Sequence, residues 1–548
     1  MQIKVIFWIF VLTILVIGSL YSLIQLMQNE SSSSRNIPGV SHSRRLIHEF
    51  YSEGIDEKTD QDWKELKLII SNHSQIDQQE KNGDMSESKV YIYSAYYDWR
   101  IDRIRINSLI PLNFYDRIEM ECAIIKDENK YTGTIKKVIH KEHHNKEYVS
   151  STLLCEIAKN EIKFEDITGK VLIAIFENGN NTNKSEIWIT LNKIPKNSSN
   201  NHELSVCVRP WWGEPIQNGN LGNKQKFNNA GLMLEFINSY LLLGVNKFYL
   251  YQNYLDIDED VRNIINYYSN IKNVLEIIPY TLPIIPFKQV WDFAQTTMIQ
   301  DCLLRNIGKT KYLLFVDTDE FVFPNLKNYN LMDFLNLLEA NNPYYKNKVG
   351  AMWIPMYFHF LEWESDQNNL KKYSAIEEKI KKKMENIEFV LYRKTCRMLS
   401  SGTKKSDKTR RKVIIKPERV LYMGIHETEE MLSKKFHFIK TPIINMGGGN
   451  ELSIYLHHYR KAKGIVNNDP KQRELVNMYL ENACSDKLLD SGRDSIQDGV
   501  IVDNTVWEIF GTHLYQIIFQ HIKEIQNIYT NKGMINENKN VSVEELHN

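Results

Sequence analysis

The run Tyr312-Leu-Leu-Phe-Val-Asp-Thr-Asp-Glu-Phe-Val-Phe-Pro324 constrains the fold more than any other segment. An apolar strand breaks at three carboxylates, Asp317, Asp319 and Glu320, and apolar sequence then resumes. Apolar residues on both sides imply burial, where unpaired carboxylates are costly. Like charges this close resist joint ionisation unless a cation or a basic group offsets them. Asp-X-Asp at a strand end therefore points to an oxygen-ligand site for Mg²⁺ or Mn²⁺, ions that keep positions open for substrate phosphates. The competing reading of the same residues is an acidic turn that caps the segment after it.

The surroundings of that run specify an α/β fold. From Leu204 short strands (Val206–Val208, Lys247–Tyr251, Val274–Tyr280) alternate with helical spacing at Asn228–Leu243, Asp258–Asn270 and about 290–306. In open sheets of this class ligands bind beyond the carboxyl ends of the strands, where Asp317 and Asp319 fall. Residues 89–196 carry instead short runs rich in β-branched and aromatic residues, which predicts a small, mainly antiparallel β domain with a supporting role. Tyr96, Tyr97 and Trp99 cluster there and read as core, with a glycan contact as the alternative. Past Pro470 one or two helices, notably Val506–Ile528, precede a polar tail.

Between Lys4 and Glu30 no charged residue interrupts a stretch of mostly Ile, Leu, Val and Phe. It is long enough for the roughly 20 residues of a spanning helix and longer than a cleavable signal core. The expected organisation is a cytosolic tail at 1–4, a membrane anchor at 5–27, a polar stem at 28–88, a β-rich domain at 89–200, an α/β domain at 204–470 and C-terminal helices with a tail at 471–548. A lumenal body fits the acceptor sequons at Asn72, Asn180, Asn183, Asn197 and Asn540. Six cysteines without a Cys-X-X-Cys pair disfavour zinc, and Cys122 with Cys155 is the expected disulfide. Lys+Arg 68 against Asp+Glu 68 argues against a nucleic-acid binder held by a broad basic face.

A lumenal α/β protein with Asp-X-Asp suits nucleotide-sugar chemistry, in which a divalent ion offsets charge on the departing diphosphate. Several motifs then occur in a telling order: Val206-Cys-Val-Arg-Pro-Trp-Trp-Gly213, Leu234-Glu-Phe-Ile237, Asp301-Cys-Leu303, Asp317-Thr-Asp-Glu-Phe321, Lys416-Pro-Glu-Arg-Val420, Gly424-Ile-His426 and His458-Tyr-Arg460. Together with Tyr93-Ser-Ala-Tyr-Tyr-Asp-Trp-Arg100, they make the chain resemble glycosyltransferase family 92 from about Val90 to Arg460.

The resemblance implies a type II membrane protein of the Golgi or another secretory compartment, with a GT-A-like nucleotide-sugar-binding domain behind the β-rich accessory domain. It implies inverting, β-linked transfer of galactose from UDP-galactose to a glycan acceptor, an N-glycan or other glycoconjugate, with Mn²⁺ or Mg²⁺. Asp319 and His458 would hold the metal, with His457 and His426 as alternatives to the latter, and Asp317 would contact the metal or the ribose. Arg209 and Lys416 are the further nucleotide candidates, and the run Lys404–Lys412 reads as a solvated loop, with closure over the diphosphate or steering of an anionic donor as the alternative. An acceptor hydroxyl needs a base within hydrogen-bond reach. Glu364 is the first candidate, Glu362 the second and Asp366 a further one, in or just after a segment, Phe358–Ser365, that departs from the family pattern. Trp211, Trp212 and Trp363 are ring-stacking or core candidates. Expected partners are the nucleotide sugar, the glycan, the membrane and a second copy of the chain. The alternatives are a non-catalytic glycan-binding protein on the same fold and a metal-dependent phosphoester hydrolase.

Overall fold

A computed structural model describes residues 63–70, 86–126, 128–157, 169–178, 180–196, 201–210, 228–252, 257–381, 389–398, 411–461 and 500–544. The expected tail and membrane anchor, Trp211, Trp212 and Lys404 lie outside them. Among the described residues no helix is long and apolar enough to cross a membrane.

Eight strands form the first layer: β1 (Lys64–Ile70), β2 (Ser86–Asp98), β3 (Arg103–Pro111), β4 (Ile118–Lys126), β5 (Asn129–Ile139), β6 (Tyr148–Ile157), β7 (Lys170–Glu177) and β8 (Asn180–Lys193). Their order is β1-β2-β3-β6-β5-β4-β7-β8, and a parallel β2–β8 pairing closes the sheet on itself. Closure, with β1 left as an edge strand on β2, explains how alternating strands such as β4 bury one face inside, with Ile118, Met120, Cys122 and Ile124 in a common core. Cys122 and Cys155 are joined there, as expected, with Cα atoms 5.9 Å apart. One boundary differs. Lys64–Ile70, assigned to the stem, is a strand antiparallel to β2, with Leu66 and Leu68 buried. Its lysines and glutamate mask a period-two pattern within a polar region.

The second layer is a seven-stranded sheet built from β9 (His202–Val208), β10 (Lys247–Gln252), β11 (Leu275–Pro279), β12 (Thr310–Val316), β14 (Val349–Ile354), β17 (Lys412–Ile415) and β20 (His437–Lys440), ordered β11-β10-β9-β12-β17-β14-β20. Strands β11 to β12 run parallel, and β17 is antiparallel to both of its neighbours. Strands β13 (Glu320–Pro324), β15 (Met356–Phe360) and β23 (Ile454–Arg460) make a small sheet beside it. Helices α1 (Ala230–Leu242), α2 (Glu259–Asn266) and α4 (Leu331–Asn341) cover one face together with the C-terminal helix α7 (Thr505–Glu544). Each starts where its cap predicts: the side chains of Asn229, Asp258 and Asn330 accept the orphan N–H groups of the first turns of α1, α2 and α4.

Helix α3 (Gln295–Asn306) covers the other face. It begins five residues later than the helical spacing suggests, because Asp292, Phe293 and Ala294 all adopt left-handed backbone conformations, φ 41, 58 and 54°. No glycine announces this turn. Cys207 at the end of β9 is bonded to Cys302 on α3, with Cα atoms 6.4 Å apart.

The accessory sheet is docked onto the α/β layer through one continuous core that mixes Tyr91, Leu109 and Tyr148 with Tyr249, Met298 and Val413. The motif Tyr93–Arg100 makes the polar part of this interface. Asp98, fully buried, accepts from Arg100 and Arg105, and these guanidiniums donate onward to the carbonyls of Pro417, Val420 and Leu421. Tyr96 donates to Asp301 on α3 at 2.8 Å, so its ring is a docking element rather than a glycan contact.

Candidate active site

Strand β12 delivers the acidic turn to the carboxyl edge of the parallel strands. Its geometry is set by two local bonds: Glu320 N–H donates to the Asp317 carbonyl at 3.2 Å, and Asp317 N–H donates to the Glu320 carboxylate at 2.8 Å. Chain direction then reverses into β13, which pairs with β23 so that Glu320 stands opposite His458. Tyr459 N–H donates to the Asp319 carbonyl at 2.8 Å and locks the two segments in register.

Asp319 and His458 meet at the mouth of the site, with Oδ2 and Nε2 3.2 Å apart. His458 Nδ1 lies 3.4 Å from Glu320 Oε1 yet makes no aligned hydrogen bond. Burial alone would raise the Asp319 carboxyl, but His458 outweighs it and holds Asp319 below the usual carboxylate range. Strand alternation turns the other histidine away. His457 is buried on the opposite face, bonded to His359 at 2.9 Å, while His426 bonds the Arg411 carbonyl at 3.1 Å.

Asp317 is engaged on its other side. Lys412 Nζ lies 3.3 Å and Arg209 3.5 Å from its Oδ2, and Gln295 Nε2 donates to its Oδ1 at 3.3 Å. Burial pushes this carboxyl up, and Arg209 and Lys412 overcome that to hold it well below the usual range. Lys412 also reaches Glu320 at 3.1 Å, and Arg209 reaches Asp292 at 3.1 Å. Glu320 and Asp292 are both raised, mainly by burial and further by Asp317.

The charge balance of this cluster is informative. Four carboxylates (Asp292, Asp317, Asp319, Glu320) face two permanent cations, Arg209 and Lys412. Full ionisation leaves a deficit that a divalent cation would cancel. An octahedral ion with bonds of about 2.1 Å spaces adjacent ligands about 3 Å apart. The Asp319–His458 spacing of 3.2 Å fits it, and the carboxylate is a ligand type that suits Mn²⁺ or Mg²⁺. Among the described residues no three His, Cys, Asp or Glu side chains form a ready-made cage. Two protein ligands leave the remaining positions to phosphate and water, the usual arrangement for such ions.

The other sequence candidates are dispersed. Lys416 occupies the far end of β17 from Lys412, about 13 Å along the strand, where its ammonium bonds Glu339 and the carbonyls of Tyr345 and Lys346. Glu362 and Glu364 are exposed beyond the end of β15. Asp366 binds the N–H groups of Asn368 and Asn369, the opening turn of helix α6 (Gln367–Lys381), so its role is local. Trp363 is buried against Phe360, ring centroids 4.8 Å apart, which is the core use rather than stacking on a sugar.

The sequence singles out neither Asp292 nor Gln295, and it ranks Lys412 with a solvated loop ahead of a phosphate contact. Lys412 ends a basic run that resembles a solvated loop, and only its pairing in β17 brings it under the acidic turn. Asp292 falls inside the helix that the spacing predicts over about 290–306, so nothing in the sequence set it apart.

The model of glycosyltransferase family 92 matches residues 221–482, a segment holding Asp292, the acidic turn, Lys412 and His458, with Arg209 just ahead of it. Over 264 residues the chain is 26% identical to Beta-1,4-galactosyltransferase galt-1 of Caenorhabditis elegans, an alignment covering 48% of this chain and 49% of that protein. The chain thus spans about half the length of the curated relative it matches. Through residues 221–482, the chain is thus similar to glycosyltransferase family 92.

Proposed function

We propose that this chain is a metal-dependent inverting glycosyltransferase that moves galactose from UDP-galactose to a glycan hydroxyl in β-linkage. The observation that carries the reading is the Asp319–His458 pair at the carboxyl edge of the sheet, inside the family-matched segment and backed by Lys412. The relative's name supplies galactose, and a GT-A-like fold is supported by the parallel strands that end at the acidic turn.

When bound, Mn²⁺ or Mg²⁺ held by Asp319 and His458 supplies Lewis-acid stabilisation of the leaving diphosphate. The chain's own residues do the rest. Asp317 holds Arg209 and Lys412 side by side, so both cations are preorganised for phosphate oxygens. Glu364, with Glu362 second, is the proposed base; both are exposed just past β15, the strand paired with the one that carries His458. The two described disulfides support an oxidising lumen, and Golgi residence behind an N-terminal anchor is part of the proposal.

The test is transfer by the full-length protein with Mn²⁺, UDP-galactose and a panel of galactose- and fucose-bearing glycans, read by mass spectrometry. A hexose-shifted acceptor is expected. Folded protein that transfers nothing from any UDP-sugar would instead support a glycan-binding role.

A further inference from the structure

Gln295 is 4% exposed, and its side chain is half satisfied: Nε2 donates to Asp317 Oδ1 at 3.3 Å, and Oε1 has no hydrogen-bond partner. The amide orientation is not interchangeable, because the reverse would set Oε1 against a carboxylate. A buried acceptor without a donor loses its hydration with nothing in return. The backbone that delivers it is also strained. Three successive non-glycine residues, Asp292 to Ala294, are left-handed, a conformation that persists only where the surroundings over-determine it. Here Arg209 on Asp292 and the Tyr280 hydroxyl on the Ala294 carbonyl hold the turn.

We infer that Gln295 Oε1 and Asp317 form a paired acceptor for vicinal hydroxyls of the nucleotide sugar, which makes Gln295 a specificity-determining residue for the donor. The inference rests on the nucleotide-sugar reading above. A diol presents two donors to two acceptors. A uracil edge presents one N–H flanked by carbonyls, and those would oppose the Asp317 carboxylate. Both the ribose and the transferred hexose carry such a diol.

The test is calorimetric binding to the full-length protein with Mn²⁺, comparing wild type with Gln295→Met. UDP against 2′-deoxy-UDP and 3′-deoxy-UDP reads the ribose, and UDP-galactose against its 2-deoxy analogue reads the hexose. In wild type, one of these losses weakens binding about tenfold or more. In Gln295→Met that penalty falls below about twofold, and the penalties in the other arm persist. A merely structural role would weaken every ligand equally and leave each deoxy penalty unchanged, which overturns the inference. If Gln295→Met folds poorly, Gln295→Asn withdraws the same oxygen by one methylene and must give the same collapse. Wild type that binds no UDP removes the nucleotide-sugar reading and this inference with it. Wild type that binds UDP with deoxy penalties indifferent to residue 295 removes the inference alone.

Discussion

Lys412 shows what a single side chain does at this site. It is almost fully buried between Asp317 and Glu320, and those carboxylates raise its ammonium above the ordinary lysine range against the opposing effect of burial. Lys412→Met should therefore destabilise the protein by about 3–5 kcal/mol, since it removes the cation shared by two buried carboxylates and leaves Asp317 with Arg209 alone. Denaturant unfolding checks this, and Lys412→Arg should recover most of the loss. Glu142, from the accessory sheet, makes a pH prediction. Its carboxylate accepts from Ile425 N–H and lies near Glu427 and Glu429, with burial the main cause of a rise to about 7. A raised carboxyl stabilises the fold most below its unfolded value and loses that contribution as pH climbs through about 7. Stability should fall by up to about 3 kcal/mol between pH 4.5 and 7, and Glu142→Gln should flatten that slope. Asp317, Asp319 and His458 were legible because their residue types carry the chemistry directly. Lys412 and Gln295 were not, since neither a lysine in a basic run nor a glutamine in a helix differs from its neighbours until pairing places it.

Strands and helices were readable wherever hydrophobic period and cap residues agreed. Asn229 before α1 and the apolar, aromatic-rich run of β12 are examples. Reading failed where tertiary contact overrode local preference. Lys64–Ile70 is a strand because β2 offers it a partner, and α3 starts late because Arg209 and Tyr280 hold a glycine-free left-handed turn. The Cys207–Cys302 bond clamps α3, and with it that turn, to β9 across 95 residues of chain. Replacing both cysteines by alanine should lower stability by about 4.7 kcal/mol on the loop-entropy account. Thermal unfolding of the double variant tests it, and donor binding should weaken along with it because Gln295 and Arg209 lie at the two ends of the clamp.

At the scale of the molecule, the accessory sheet and the α/β layer share a core and a buried Asp98–Arg100–Arg105 cluster, so they should unfold together. Asp98→Ala orphans two buried guanidiniums, and calorimetry should show one transition in wild type but two, or a single transition lowered by about 3–5 kcal/mol, in the variant. The β-then-α/β order was legible from period alone, whereas this interface was not, because Tyr93–Arg100 reads equally as core. The central claim is that Asp319 and His458 hold a divalent ion for a nucleoside diphosphate. Titrating UDP into the full-length protein with and without Mn²⁺, alongside Asp319→Ala and His458→Ala, tests it most directly. The account predicts binding that requires Mn²⁺ and falls at least about tenfold in each variant; UDP affinity that ignores both the metal and the two substitutions would contradict it.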